Sequence, residues 1–348
     1  MVIFRVDGNK EIGTGHIMRC LSMAKALRSL GEEVVFVLAD SKMQQIIIEC
    51  GFEVKVLDSD YRLLHDEVDS FIFYIKECQG RGARLLVVVD SYFVTETYFK
   101  QLGETVSVVY VDDLQNVPGC VEYIINYNVY ADEQTYKGAF KKALLLGCEY
   151  APLRDEFTME EYVLRDTCKN ILLTTGGADL YNISTKVLKE MLQGEQGDLF
   201  ADMQIHVVVG MFHQHKDQLE EIAREHANVI LHHNVGKMSE LMQNCDLAIT
   251  AAGSTIYELS CIGVPSISFS FVDNQDKIVE GFASHEAIKS AGYYLEDPEG
   301  MIKRVVALAI ELIGAYEERA RLSRTAHALV DGKGALRIAS AMQSWYSN

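Results

Sequence analysis

The sequence predicts an α/β protein of two doubly wound, Rossmann-like domains facing across a cleft, with helices at its C-terminal end. Three observations carry this reading. The chain has 348 residues, too many for one ordinary core and close to two domains of about 150 residues each. Short apolar runs alternate with amphipathic stretches, and the pattern stops near Leu146 and restarts at Ile171. In each half, the first apolar run is followed by a turn that contains glycines.

In the first half, Val2 to Val6, Val34 to Leu38, Val54 to Leu57, Leu85 to Val89 and Val106 to Val111 read as buried parallel strands. Helical stretches lie between them, near His16 to Leu30, Met43 to Cys50, Glu67 to Cys78 and Glu96 to Leu102. Leu144 to Leu146 closes this half, and residues 149–170, with Pro152 and Arg154-Asp155-Glu156, form a connector. In the second half the strands are Ile171 to Thr174, Ile205 to Val209, Val229 to His232, Leu247 to Thr250 and Ser266 to Phe271. Their helices lie near Ile183 to Leu192, Gln218 to His226, Met238 to Met242 and Thr255 to Cys261. Beyond Asp297 three helices follow, near Glu299 to Ile313, Tyr316 to Leu329 and Ala335 to Tyr346, the last two separated by Gly332 and Gly334. The expected division is 1–150 and 151–348, with the last helices able to pack back on the N-terminal domain.

Composition narrows the function. Apolar residues at 49% and charged residues at 24% are ordinary for a globular chain. A formal charge of −18, spread over both halves, repels phosphate backbones and anionic lipid, so nucleic acid and membrane are poor partners. An anionic small ligand then needs local help from backbone N–H groups and a few arginines. No apolar run approaches the ~18 residues of a membrane span, and the first residues lead into a strand rather than a signal peptide, so a cytoplasmic protein is expected. The eight cysteines are scattered with no CxxC, and no HxxxH pair suggests a metal site, so they read as reduced, mostly buried thiols.

The sharpest local signal is Gly13-Thr14-Gly15-His16-Ile17-Met18-Arg19, a glycine turn that opens a helix with Ile17, Cys20, Leu21, Ala24 and Leu27 on one face. A dinucleotide fingerprint would place glycine at Met18, and a Walker loop would follow its glycine with Lys-Ser or Lys-Thr, so neither NAD nor ATP is supported as a cofactor. His16 sits in the first helical turn, where the helix end disfavours imidazolium; it reads either as a general base or as a packing residue at the helix start. Arg19 reads as a solvated face residue. In Thr250-Ala251-Ala252-Gly253-Ser254-Thr255-Ile256-Tyr257-Glu258 a buried strand ends in small residues, Ser254 can cap the next helix, and Glu258 can reach a ribose diol.

Thr174-Thr175-Gly176-Gly177 and Asp273-Asn274-Gln275 fall at strand ends of the same half, where open sheets bind ligands. In the first half Asp90-Ser91-Tyr92, Asp112-Asp113 and Asn126-Tyr127-Asn128 do likewise, each with an ordinary alternative as turn chemistry. Asp58-Ser59-Asp60 is the spacing of a metal-binding DxD but reads as a loop.

Together with Phe4-Arg5-Val6-Asp7, the run from Gly147 to Phe157, Thr175 to Asp179 and Gly263-Val264-Pro265, these blocks resemble the UDP-sugar hydrolases of the bacterial pseudaminic acid pathway and their spore-coat polysaccharide relatives. That family is similar in fold to the glycosyltransferase that adds N-acetylglucosamine to lipid I. The resemblance implies a GT-B arrangement and metal-independent, inverting hydrolysis of a UDP-linked 2,4-diacetamido-2,4,6-trideoxyhexose, with a UDP-sugar transferase as the alternative. It implies His16 as the catalytic residue and Arg5, Gly13, Gly15, Tyr92, Asp113, Asn128 and Arg154 on the sugar side. It implies Gly176, Gly177, Met238, Ala252, Gly253, Ser254, Thr255, Glu258, Asn274 and Gln275 on the nucleotide. The chain departs from the pattern at Met211-Phe212-His213-Gln214-His215, where relatives tend to carry small polar residues.

Overall fold

The computed structural model describes the whole chain except residues 81, 83, 159–161, 195–196, 211 and 348, so part of the connector lies outside the described residues, as does Met211. The chain divides into two compact units, Met1–Arg154 with Gly332–Asn348, and Asp155–Asp331.

The first unit runs β1 (Val2–Val6), α1 (Gly15–Ser29), β2 (Val34–Leu38), α2 (Gln44–Glu49), β3 (Glu53–Val56), α3 (Leu64–Gly80), β4 (Leu86–Asp90), α4 (Glu96–Gly103), β5 (Ser107–Val111), β6 (Val121–Asn126) and β7 (Phe140–Leu146). The seven strands pair in the order β3-β2-β1-β4-β5-β6-β7, all parallel. Central strands must satisfy two apolar faces, which is why β1, β2 and β4 are buried at every position. Alternate residues divide between the faces: Val2, Phe4 and Val6 join Ile17, Cys20 and Ala24 of α1 in one core, and Ile3 joins Phe71, Ile75, Tyr98 and Phe99 of α3 and α4 in the other.

The strands β6 and β7 were not read from the sequence. Glu122 interrupts the apolar run of β6, and β7 begins Phe140-Lys141-Lys142. The reason is position: β7 is the sheet edge, where exposed lysines are tolerated and protect against further pairing, and Lys141 meets Glu122 at 3.2 Å.

The second unit runs β8 (Asn170–Thr174), α5 (Ile183–Gln193), α6 (Gly197–Ala201), β9 (Gln204–Val209), α7 (Lys216–Glu225), β10 (Val229–His233), α8 (Met238–Gln243), β11 (Leu247–Ala251), α9 (Ser254–Ile262), β12 (Ser266–Ser270), α10 (Asp273–Ser284), β13 (Lys289–Tyr293), α11 (Pro298–Gly314) and α12 (Tyr316–Leu329). Its six strands are also parallel, in the order β10-β9-β8-β11-β12-β13. The sequence reading omitted β13, an edge strand of sequence Lys-Ser-Ala-Gly-Tyr with little apolar signal, and α10, whose polar start at Asp273 reads as a loop.

The last helix, α13 (Gly334–Ser347), belongs to the first unit. Ile338, Ala339 and Met342 are fully buried in the core that α1 shares with β1, and Trp345 stacks on Tyr123 of β6 at 3.8 Å between ring centres. Gly334 is required there, since a Cβ would stand 2.2 Å from the Ala151 carbonyl oxygen. Trp345 is the sole tryptophan of the chain, so its fluorescence reports this docking. Ile338→Ala is expected to destabilise the first unit by about 2–5 kcal/mol, read as an earlier Trp345 transition in urea. An unshifted transition would show that α13 is not part of that core.

Candidate functional site

In the first unit the strand order reverses between β1 and β4, the place in an open sheet where loops diverge and ligands collect. After β1 the chain makes a short loop closed by an Asn9–Gly13 bridge, with Gly13 at φ +76°, and Asn9 Oδ1 accepts the Glu11 and Ile12 amides. This turn sets the start of α1 against the end of β4. His16 and Arg19, one turn apart on α1, both reach the Asp90 carboxylate. His16 Nδ1 is 2.6 Å from Asp90 Oδ1, Arg19 Nε donates to Oδ2 at 2.6 Å and a terminal nitrogen to Oδ1 at 2.5 Å.

Burial pushes the Asp90 carboxyl up, but Arg19 and His16 outweigh it and hold the group well below the usual carboxylate range. An ionised carboxylate only accepts, so the 2.6 Å contact requires the proton on His16 Nδ1 and the 2.9 Å approach of Arg19 to that nitrogen is contact without a bond. Nε2 is then the proton-accepting nitrogen of the neutral ring, and it has no hydrogen-bond partner among the described residues. His16 is 5% exposed rather than at the helix surface. Its ring meets Tyr92 edge-on at 4.5 Å and lines a cavity of about 10 Å³ with Asp7, Ile12, Tyr61, Ser91 and Phe93. That is about the room of one water.

Arg19 corrects the reading of a solvated residue: it is buried, and beyond Asp90 it donates to Asp113 at 2.6 Å and to the Tyr127 hydroxyl at 3.0 Å. Tyr92 also donates to Asp113, at 3.1 Å, and Asn128 donates to the Asp113 carbonyl at 3.0 Å. The structure thus brings His16, Tyr92, Asp113 and Asn128 together around Arg19. Arg5 is not among them. It is fully buried in β1, taken up by Glu67 at 2.5 and 2.9 Å and by Asp7, and so steadies the end of β1 rather than facing a ligand. Gly15 opens α1, exposed, and Arg154, half-buried, ends the first stretch of the unit. Asp90 was legible only as one of several strand-end candidates, an acid closing the run Leu-Val-Val-Val, and its pairing with His16 and Arg19 was not.

In the second unit the reversal falls between β8 and β11. The helices that follow these strands begin differently. At α5, Asp179 takes the free amides, accepting from Ile183 at 2.7 Å and Ser184 at 2.9 Å. Burial raises the Asp179 carboxyl, but bonds from His213 and these amides outweigh it and hold it below its ordinary value. At α9 the cap is Gly253, not Ser254; no side chain caps the helix, its first turn has no acid, and a Cβ on Gly253 would meet nothing within 4 Å. Ser254 is exposed as the first helical residue, Ala252 is buried behind it, and Thr255 and Glu258 are half-buried along the helix. Gly176, at φ +84°, and Gly177 likewise have open space where a Cβ would stand.

Asn274 and Gln275 lie in the first turn of α10 beside Asp273 and Asp276, which disfavour an anion there. Gln275 accepts the Phe271 amide at 3.4 Å. Met238 opens α8 and is buried.

Residues 171–323, most of the second unit, match the glycosyltransferase family 28 C-terminal domain. Over its whole length the chain has the fold of GT-B glycosyltransferases: Acinetobacter baumannii MurG superimposes with a TM-score of 0.66 at 15% identity, covering 99% of both chains. Among curated proteins, the spore coat polysaccharide biosynthesis protein SpsG of Bacillus subtilis is 25% identical over 98% of this chain and 97% of its own. The UDP-2,4-diacetamido-2,4,6-trideoxy-beta-L-altropyranose hydrolase of Campylobacter jejuni is 25% identical over 79% of this chain and 93% of its own. An uncharacterized protein of Methanocaldococcus jannaschii is 29% identical over 75% of this chain, which spans about half, 54%, of that relative. The resemblance carried by the sequence motifs therefore holds.

Asp90 supplies a pH test. Its folded value is depressed, so its contribution to stability is complete above the unfolded value of about 3.9 and is lost as pH falls through the folded value. Asp90→Asn is expected to cost about 3–5 kcal/mol near neutral pH by leaving Arg19 buried without its main partner. The gap in Tm between variant and wild type should close from about pH 5 to about pH 2. A gap that stays constant over that range would contradict an ionised, paired Asp90.

Proposed function

We propose that this chain hydrolyses a UDP-linked 2,4-diacetamido-2,4,6-trideoxyhexose to UDP and the free sugar, inverting the anomeric carbon. The single observation that carries the reading is the His16 ring, tied through Nδ1 to Asp90 at 2.6 Å with Nε2 left to take a proton. The name of the Campylobacter jejuni relative supports the substrate class.

In this reaction water attacks the anomeric carbon, the bond from that carbon to the diphosphate oxygen breaks with its electron pair leaving on UDP, and His16 Nε2 takes the proton of the water. Asp90 accepts the Nδ1–H bond and stabilises the imidazolium that forms. Diphosphate is a good leaving anion, so backbone donors and one general base suffice. The donors are the uncapped amides of α9 at Ser254 and Thr255, because Asp179 already occupies the start of α5 and two aspartates crowd that of α10. Glu258 lies one turn on, in reach of the ribose.

The family 28 domain favours a second reading, in which the same base activates an acceptor hydroxyl. Incubation with isomeric UDP-diacetamido-trideoxyhexoses and no acceptor separates the two. Equal amounts of UDP and free sugar are expected, and UDP release that depends on an added acceptor would favour transfer. His16→Asn is expected to lower kcat by about 10²- to 10⁴-fold while UDP still binds; full turnover by that variant would end the mechanism.

A further inference from the structure

We infer that His213 is a positioning residue for the nucleotide, acting through Asp179 on the Gly176–Gly177 turn. The inference rests on the reading of the second unit as the UDP-binding one, and it concerns the segment where the sequence departs from the family pattern.

The turn after β8 and the loop after β9 are locked together. A Cβ on Gly210 would stand 2.5 Å from the carbonyl oxygens of both Gly176 and Gly177, so the two backbones touch and only glycine fits. Phe212 N–H donates to the Gly177 carbonyl at 3.0 Å, and Gln214 N–H to the Ala178 carbonyl at 3.3 Å. These bonds fix the peptide planes of the turn from its carbonyl side. The amides of Gly176 and Gly177 have no acceptor among the described residues, and space opens where either Cβ would be. A turn whose carbonyls are held and whose amides are free is prepared for a hydrogen-bond-accepting ligand such as a phosphate or ribose oxygen.

His213 closes the other end of this clamp. Its Nδ1 accepts the His215 amide at 3.1 Å, so the proton of the neutral ring is on Nε2. Nε2 lies 3.3 Å from Asp179 Oδ2, with both side chains 1% exposed. Asp179 holds φ +43°, a left-handed conformation that costs an L residue, and its carboxylate is bound to the α5 amides. The imidazole N–H thus lies against the carboxylate that keeps the turn bent into α5, a buried polar neighbour at ion-pair distance. Among the described residues Nε2 has no hydrogen-bond partner and is enclosed, and the Asp179 carboxylate is the charged group it faces. Such an arrangement orders a binding turn in advance, and the affinity gained comes from ordering already done in the free protein.

The test measures binding of UDP itself by calorimetry to wild type, His213→Ala and His213→Gln, whose amide nitrogen can stand where Nε2 does. His213→Ala is expected to weaken UDP binding about tenfold, raising KM for the UDP-sugar by the same factor while kcat stays within about twofold; His213→Gln should recover most of the loss. Hydrogen exchange is followed in parallel in the free proteins, and His213→Ala should speed it across residues 175–184. If the alanine variant does not fold, His213→Leu, which fills the volume without a donor, takes its place against His213→Gln.

Unchanged UDP affinity, or a loss in kcat as large as that in KM, overturns the inference, as does exchange in 175–184 that matches wild type. A wild-type protein that binds no UDP overturns instead the functional reading and the nucleotide role with it, and exchange alone then decides whether His213 holds the turn.

Discussion

The first unit is organised around one buried charge. Asp90 ends a strand with a fully buried pattern, and an ionised carboxylate there is tolerable only with close compensation. Arg19 supplies it with two bonds and His16 with a third. Because both come from α1, the pairing fixes the rotation of that helix and hence the path of the Asn9–Gly13 loop that leads into it. Arg19 then spends its remaining donors on Asp113 and Tyr127, so the ends of β4, β5 and β6 are tied to one guanidinium. A second buried set, Arg5 with Asp7 and Glu67, steadies the end of β1 next to it.

Helix starts decide where an anion is accepted. The chain carries a formal charge of −18, so a nucleotide gains nothing from the global field and depends on local donors. Of the helices that follow central strands, α5 is closed by its own aspartate, while α1 and α9 have neither a side-chain cap nor an acid in the first turn. Small residues at these turns do more than permit a bend: they leave amides bare in a protein whose surface is otherwise hostile to phosphate.

The architecture was largely legible because central parallel strands must be apolar on both faces, so the runs of β1, β2, β4, β5, β8, β9, β11 and β12 announce themselves. What escaped were β6, β7, β13, α10 and the single-turn α6, which are short, lie toward sheet edges or begin with polar residues, where burial makes weaker demands on the sequence. The glycine turns at Gly13, Gly176 and Gly253 were also visible, since their backbone geometry or openness constrains residue type locally. The side-chain roles were less so. Arg19 looks solvated until Asp90 is placed opposite it, 71 positions away. Arg5 looks like a ligand contact until Glu67 of α3 covers it, and Ser254 looks like a cap until the helix is seen to start one residue earlier than a Ser254 cap would require.

By itself, then, the sequence determined the repeated strand-and-helix alternation, the positions of the bare turns and the histidine at the head of α1, because each depends on periodicity or on residues adjacent in the chain. The tertiary structure decided which carboxylate holds that histidine, which arginine is buried, which helix start is already occupied and how His213 comes to face Asp179. Those are partnerships between residues tens of positions apart, and a buried charge selects its partner by distance in space, which no local pattern encodes.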